Sequence, residues 1–184
     1  MLLTVREASA MRPGKQLSSR LPLMLYTFYQ TAADMMLPDV LTSDERLWAP
    51  IAPDIWSRPL HLNPTGGFYA HVLKVKRSGV LQRHRHSGQV HAYVLKGRWY
   101  YLEHDWVAEE GSYVYEPPGE THTLTVPDDC SEMLTLFMIH GSLMYVDPDG
   151  NSTGFDDVFT RIEKYRAHFE RVGLGADYVR NFMR

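Results

Sequence analysis

The chain has 184 residues, 44% of them hydrophobic and 22% charged, so it can bury one substantial core and does not resemble a disordered sequence. Its formal net charge of −3 gives no electrostatic reason to expect nucleic acid, and no apolar run approaches the ~18 residues that a membrane-spanning helix needs. Cys130 is the only cysteine, which excludes intrachain disulfides and thiol-rich zinc sites and favours a reducing, cytoplasmic location.

Residues 1–34 show no clean hydrophobic periodicity. Basic residues precede an apolar run at 21–29, in an order that loosely imitates a secretory signal. The basic region is too long for such a signal, and the apolar run is short and contains Pro22. We therefore expect an irregular N-terminal extension over 1–34 and a single compact domain over 35–184.

From residue 35 to residue 64, five prolines are expected to keep regular elements short. Thr42 or Ser43 can cap one helical turn over 44–47, and apolar residues such as Trp48 and Trp56 anchor a segment that wraps an outer surface. Strand patterns dominate the following stretch, with turns between them. They cover 68–76, 80–86, 91–95, 98–103, 113–115, 121–126, 133–139 and 143–146.

One convincing helix follows the strands. Asp156 or Asp157 can cap it, apolar residues recur at spacings of three and four from Val158 to Val172, and Gly173 ends it. Its charged face, which includes Arg161 and Lys164, is interpreted as a solvated surface. Many short strands followed by one helix predict an all-β sandwich or barrel with a C-terminal helix on its outside.

Three histidines stand out for their positions. His84 and His86 are two residues apart on a predicted strand and therefore point to one face, and His122 follows a Pro/Gly turn after another strand. Imidazole suits iron, zinc, copper and nickel. Three protein ligands leave positions open on the ion, as in catalytic rather than closed structural sites. These three histidines are the predicted metal ligands.

The motifs around these histidines resemble those of the cupin superfamily. Gly111-x5-Pro117-x-Gly119-x2-His122 matches the second cupin motif up to its histidine, and Gly79, His84-x-His86 and Gly97 match the first with one residue fewer after the glycine. The glutamate of the first motif is missing, and His91 occupies its place. The resemblance implies a single cupin β-barrel, a jelly-roll-like double sheet, of the three-histidine kind that uses ferrous iron.

A narrower resemblance covers roughly residues 37–184. The segments 99–108 and 116–124, the 44–48 segment and the tail around 172–175 are similar to the 2,4'-dihydroxyacetophenone dioxygenase family. This resemblance implies a non-haem Fe(II) enzyme that inserts both atoms of O2 and cleaves the C–C bond of an aromatic α-hydroxyketone, giving a carboxylate and formate. It also implies an aromatic ketone and O2 as small-molecule partners; cupins often form homo-oligomers through their outer strands.

Other residues receive weaker assignments. His91 could be a fourth ligand, a proton carrier or a packed residue, and we place it in the pocket lining. Glu103 could face the interior beside the metal, whereas Glu116 and Glu120 are expected to bond to backbone. The aromatic residues expected in the substrate pocket, unless they are plain core, are Tyr93, Trp99, Tyr101 and Tyr115.

Two alternatives to the dioxygenase stay open. One is a cupin that binds metal as a sensor, like the cupin part of some anti-sigma factors, which usually comes with a helical partner-binding domain that 1–34 is too short to form. The other is a cupin isomerase or lyase in which the metal acts only as a Lewis acid. Oxygen uptake during turnover separates the dioxygenase from both.

Overall fold

A computed structural model describes residues 32–184, so the expected N-terminal extension lies almost wholly outside the described residues. Residues 35–184 form one compact unit. No helix in the described part of the chain is long and apolar enough to cross a membrane. The elements are strands β1 to β12, at Ala49–Ala52, Ile55–Asn63, Phe68–Val75, Gly79–His86, Val90–Lys96, Arg98–Tyr101, Ala108–Glu109, Tyr113–Glu116, Thr121–Val126, Met133–His140, Leu143–Val146 and Ser152–Asp156, helix α1 at Val158–Arg171, and 3₁₀ helices at Glu45–Leu47 and Ala176–Phe182.

The strands form two antiparallel six-stranded sheets. Sheet A has the order β1-β2-β3-β10-β5-β8, and sheet B has the order β12-β11-β4-β9-β6-β7. Each sheet interleaves strands that are distant in sequence, as expected for a jelly-roll-like double sheet. The predicted fold class is confirmed. Strands β4 and β9, which carry the three histidines, lie side by side in the middle of sheet B.

The interior core holds large side chains from both sheets and from α1. Tyr69 and Phe137 of sheet A, Trp99 of sheet B and Phe169 of α1 belong to one buried cluster. A smaller apolar cluster covers the outer face of sheet A, where Trp48 joins Leu60, Val72 and Leu134. Leu37 and Val40 pack against this outer cluster, so the 35–48 segment wraps a sheet surface as the sequence predicts.

The stretch after residue 48 is more regular than its prolines suggest. Residues 55–63 form β2, which pairs with β3 along its whole length, and 49–52 form β1. Pro59 lies beyond the last residue that β1 pairs, and the register between β2 and β3 shifts between Pro59 and His61. Because an edge position and a bulge both tolerate a residue without an N–H donor, the proline does not break the strand.

Helix α1 forms where its caps predict, but one of its charged residues is buried. Asp157 is the N-cap and exchanges side-chain-to-backbone hydrogen bonds with Thr160, and Gly173 follows the C-cap with a positive φ of 79°. Arg161 is only 4% exposed and donates to Asp156 Oδ2 at 2.9 Å. The interpretation of Arg161 as part of a solvated face is therefore wrong.

Candidate metal centre

The three histidines meet on the inner face of sheet B. His84 and His86 are buried on either side of the exposed Arg85 in β4, and the Cα atoms of His84 and His122 are direct cross-strand partners between β4 and β9. The exposed fractions are 6% for His84, 2% for His86 and 0% for His122. The period of two in a strand thus brings all three rings to one buried point.

The geometry of this trio fits a metal ion. One ring nitrogen of each histidine lies within 4.8 Å of the others, and Nε2 of His84 is 3.1 Å from Nε2 of His122. Two imidazole nitrogens bound at about 2.0–2.1 Å to one ion, in octahedral or tetrahedral geometry, stand about 2.8–3.4 Å apart. The observed separation falls in this range without any rearrangement.

Two of the histidines, His84 and His122, are also held in the neutral form that binds metals. Burial lowers the pKa of His84 well below its usual 6.5, and the neighbouring His86 and His122 lower it further. Burial lowers the pKa of His122 to about 4, although Glu116 opposes this shift. At neutral pH both rings are uncharged, so their lone pairs are available to a cation.

Glu116 joins the histidines, contrary to the expectation that it bonds to backbone. Its carboxylate is 3% exposed, and its Oε2 atom lies 3.2 Å from His86 Nε2 and 3.5 Å from His122 Nε2. Because Tyr113 and Tyr115 point outward from β8, strand alternation sends Glu116 inward. Counting that alternation in the sequence would have identified this residue.

Tyr101 holds both Glu116 and His122. Its hydroxyl donates to Glu116 Oε1 at 2.8 Å, and its ring stacks on His122 with centroids 3.7 Å apart and planes 6° from parallel. Burial raises the pKa of Tyr101 well above its usual value, and Glu116 raises it further, so the phenol keeps its proton. Of the four aromatic residues expected in the substrate pocket, Tyr101 lines the adjoining cavity.

A cavity of about 580 Å³ leads to the trio. His84, His86 and Tyr101 lie at its buried end, and its other end runs between β1 and exposed residues of α1. The larger apolar residues along its wall include Ile55, Leu73, Leu81, Leu124, Phe137, Ile139 and Leu143. Two of the three candidate ligands, His84 and His86, therefore open onto a space of the size that small-molecule sites have.

Three residues assigned to the pocket lie on the outside instead. His91 and Tyr93 alternate on β5 with the buried Val90, Ala92 and Val94, so they face away from the core. The His91 ring forms a 2.6 Å hydrogen bond with the hydroxyl of Tyr113. Tyr93 is 46% exposed, and Tyr115 on β8 is 50% exposed. The pocket placement of His91, Tyr93 and Tyr115 is thus wrong, because all three occupy the outer face of sheet A.

Two further predicted residues lie near the site without entering it. Glu103 accepts hydrogen bonds from Thr123 N at 2.7 Å and from Thr123 Oγ1 at 2.8 Å. Burial opposes ionisation of Glu103, but these bonds outweigh it and lower its pKa. Glu103 therefore holds the segment after β6 against β9. Its partner Thr123 directly follows His122 in the sequence. Trp99 is fully buried core and supports Tyr101 at a centroid distance of 5.1 Å.

His104 and Glu120 form a second group with His122. His104 Nε2 and Glu120 Oε1 are 3.0 Å apart, and one ring nitrogen of His122 lies within 4.8 Å of both side chains. Both His104 and Glu120 are partly exposed, so water competes for them. This pair borders the buried trio rather than extending it.

The fold defines a cupin, and its three clustered histidines are a candidate metal site. The model of the ChrR cupin-like domain matches residues 38–144, more than half of the chain, and the chain belongs to this family. A search of curated proteins found no match.

Two solved structures show the same architecture. An RmlC-like cupin from Ralstonia eutropha JMP134 is 28% identical, with a TM-score of 0.70 over 77% of this chain and 90% of that one. An acetylacetone dioxygenase from Acinetobacter johnsonii is 16% identical, with a TM-score of 0.61 over 75% of this chain and 97% of that one. At that identity the dioxygenase shares the fold, which by itself assigns no activity.

Proposed function

We propose that this cupin is a non-haem Fe(II) dioxygenase that cleaves the C–C bond of an aromatic α-hydroxyketone with O2. The observation that carries the proposal is the buried cluster of three histidines, two of which, His84 and His86, line a largely apolar cavity. A structural ion would be enclosed on every side, whereas these ligands adjoin a space that an aromatic ketone fits. The resemblance of several sequence segments to 2,4'-dihydroxyacetophenone dioxygenases supports this substrate class.

In this proposal His84, His86 and His122 hold the ion through neutral ring nitrogens. When bound, iron supplies activation of O2 and Lewis acidity toward the oxygens of the ketone. The apolar wall excludes bulk water and strengthens electrostatic interactions at the trio. Glu116 Oε2, which lies near the Nε2 atoms of His86 and His122, is buried without a hydrogen-bond partner, and this supports a bound cation there.

Glu116 is the residue placed to accept a proton. Its Oε1 atom is occupied by the Tyr101 hydroxyl, while Oε2 has no hydrogen-bond donor and lies near the Nε2 atoms of His86 and His122. We assign to Oε2 the proton that the α-hydroxyl group of the substrate loses. Tyr101 keeps the carboxylate oriented toward that position.

The test is oxygen uptake by the Fe(II)-loaded chain with a panel of aromatic α-hydroxyketones. We expect uptake equimolar with the carboxylate formed, and loss of both activity and stoichiometric iron in His122→Ala. His140→Ala is the matched control, because His140 stacks on Phe68 at the end of β10, away from the cavity. Absence of uptake across the panel would refute the proposal.

The family match favours a second candidate, a regulatory cupin that binds metal without turnover. Such a protein would retain its metal through the same histidines and consume no O2. It would also not consume the ketone, whereas a dioxygenase would consume it with saturation kinetics. The oxygen experiment therefore decides between the two candidates, since both predict metal loss in His122→Ala.

A further inference from the structure

The charged residues that line the cavity are predominantly basic. They are Asp156, Arg161, Lys164 and Arg171, so three cations face one carboxylate in a chain whose formal net charge is −3. Asp156 cannot balance this excess. Arg161 and Lys164 both pair with it, and the Tyr145 hydroxyl donates to it at 2.6 Å.

The basic residues are not neutralised by the acidic residues of their own helix. Glu163 pairs with Arg166 at 3.3 Å, and Glu170 accepts from the backbone N–H of Ala176 at 2.7 Å; neither lines the cavity. Arg171 donates to the Nδ1 atom of His168, a neutral acceptor. Arg161 is 4% exposed, and its Nε and Nη1 atoms have no hydrogen-bond partner. An uncompensated positive charge therefore remains at this end of the cavity.

The register of sheet B sets the span from this end to the histidines. Leu143 on β11 pairs with His86 on β4 on one side and with Asp156 on β12 on the other. His86 and Asp156 are thus two strand spacings apart, about 10 Å between backbones, and both side chains are buried. Leu143 and other apolar side chains form the wall between them.

We propose that the cavity binds an amphipathic carboxylate, whose charged group lies against Lys164 in the field of Arg161 and Arg171 and whose other end reaches the histidines. A rigid aromatic body with a carboxylate opposite its metal-binding group fits this span. The inference rests on the proposed function and narrows its substrate class to α-hydroxyketones that carry a remote anionic group. A ligand without that charge leaves the excess positive charge at this end of the cavity without a counter-charge.

The test measures binding rather than turnover, so its outcome is independent of oxygen chemistry. Titration calorimetry compares 4-ethylbenzoate with 4-ethylbenzamide on the full chain, both metal-free and loaded with redox-inert Zn²⁺. We expect the carboxylate to bind about tenfold or more tightly than the amide in both forms, as charge-assisted hydrogen bonds suggest. Equal affinities, or no binding of the carboxylate, would overturn the proposal.

Single substitutions identify which cation causes the preference for the carboxylate ligand. Lys164→Met and Arg171→Met each remove one cavity cation from an exposed position of α1, and Arg166→Met removes one from an exposed position of the same helix outside the cavity. We expect the preference for the carboxylate to shrink at least about threefold in Lys164→Met or Arg171→Met and to persist in Arg166→Met. A preference that survives both cavity variants, or is lost equally in Arg166→Met, would contradict the assignment.

Discussion

The Tyr101 hydroxyl donates a 2.8 Å hydrogen bond to Glu116 Oε1, and the other oxygen of this carboxylate lies 3.2 Å from His86 Nε2. This contact couples the interior aromatic residues to the histidine trio. It also places a carboxylate from β8 beside the histidines, although the first motif lacks its glutamate. The carboxylate thus reaches the site from sheet A, opposite the strands that carry the histidines.

Glu116→Gln tests the contribution of this carboxylate to metal binding. The substitution keeps the shape and the Tyr101 contact but removes the negative charge facing His86 and His122. We expect metal affinity to fall about 10- to 100-fold, measured by competition with a coloured chelator. Glu110→Gln, at an exposed position, is the control. Unchanged affinity in Glu116→Gln would show that the carboxylate plays no part in holding the ion.

Replacing Gly97, in the turn between β5 and β6, by alanine tests how closely this turn packs against the backbone of Glu132. Its φ is +73°, and a Cβ atom there would lie 2.2 Å from the backbone oxygen of Glu132. At Gly150 φ is +87°, but a Cβ atom would have no neighbour within 4 Å. Alanine at Gly150 should cost about 1–2 kcal/mol of backbone strain, and alanine at Gly97 distinctly more. Urea denaturation compares the two, and equal losses would contradict the contact.

His71 should make stability depend on pH. Burial lowers its pKa well below the usual 6.5, and the nearby Arg161 lowers it further. Below pH 6.5 the unfolded chain therefore binds a proton at His71 that the folded chain does not, so stability falls as pH falls. The contribution is about 1.4 kcal/mol per pH unit until the folded pKa is reached.

The variant His71→Leu removes this contribution. Urea denaturation of the metal-free wild type and variant between pH 7 and pH 5 should give a shallower loss of stability for the variant, whatever its absolute stability. The difference in slope isolates His71 from His84, whose pKa is also lowered by burial. Identical slopes would show that His71 is protonated in the folded chain.

Asp157→Ala tests the start of α1. The substitution removes the hydrogen bond that Asp157 accepts from Thr160 N, half of the capping box. We expect a loss of about 1 kcal/mol in the free energy of unfolding, measured by chemical denaturation. Asp149→Ala, in the exposed turn before β12, should change stability far less. Comparable losses in both variants would argue against the cap.

The sequence determines the parts of the structure that depend on local pattern. His84 and His86 share a face because they are two residues apart in a strand, and α1 begins and ends at its caps. The strand at 55–63 was missed because Pro59 argues against a strand unless its position beyond the end of β1 is known. That position depends on long-range pairing, which no local pattern contains.

The same limit explains the misplaced site residues. His91 falls where the first motif has its glutamate, yet the alternation of side chains along β5 points it outward. Which residues of a strand face outward depends on how the strand packs in the sheet, and motif spacing does not reveal this. Arg161 belongs to a charged helix face, and its burial depends on Asp156 of the strand that precedes the helix. In each case tertiary contacts override a reasonable local interpretation.

The measurement that bears most directly on the central claim is isotope incorporation during turnover. The Fe(II)-loaded chain is supplied with ¹⁸O₂ and an aromatic α-hydroxyketone, and the products are analysed by mass spectrometry. C–C cleavage that inserts both oxygen atoms predicts one labelled oxygen in the aromatic carboxylate and one in formate. Products labelled only from H₂¹⁸O, or a ketone returned unchanged by the iron-loaded chain, would contradict the dioxygenase.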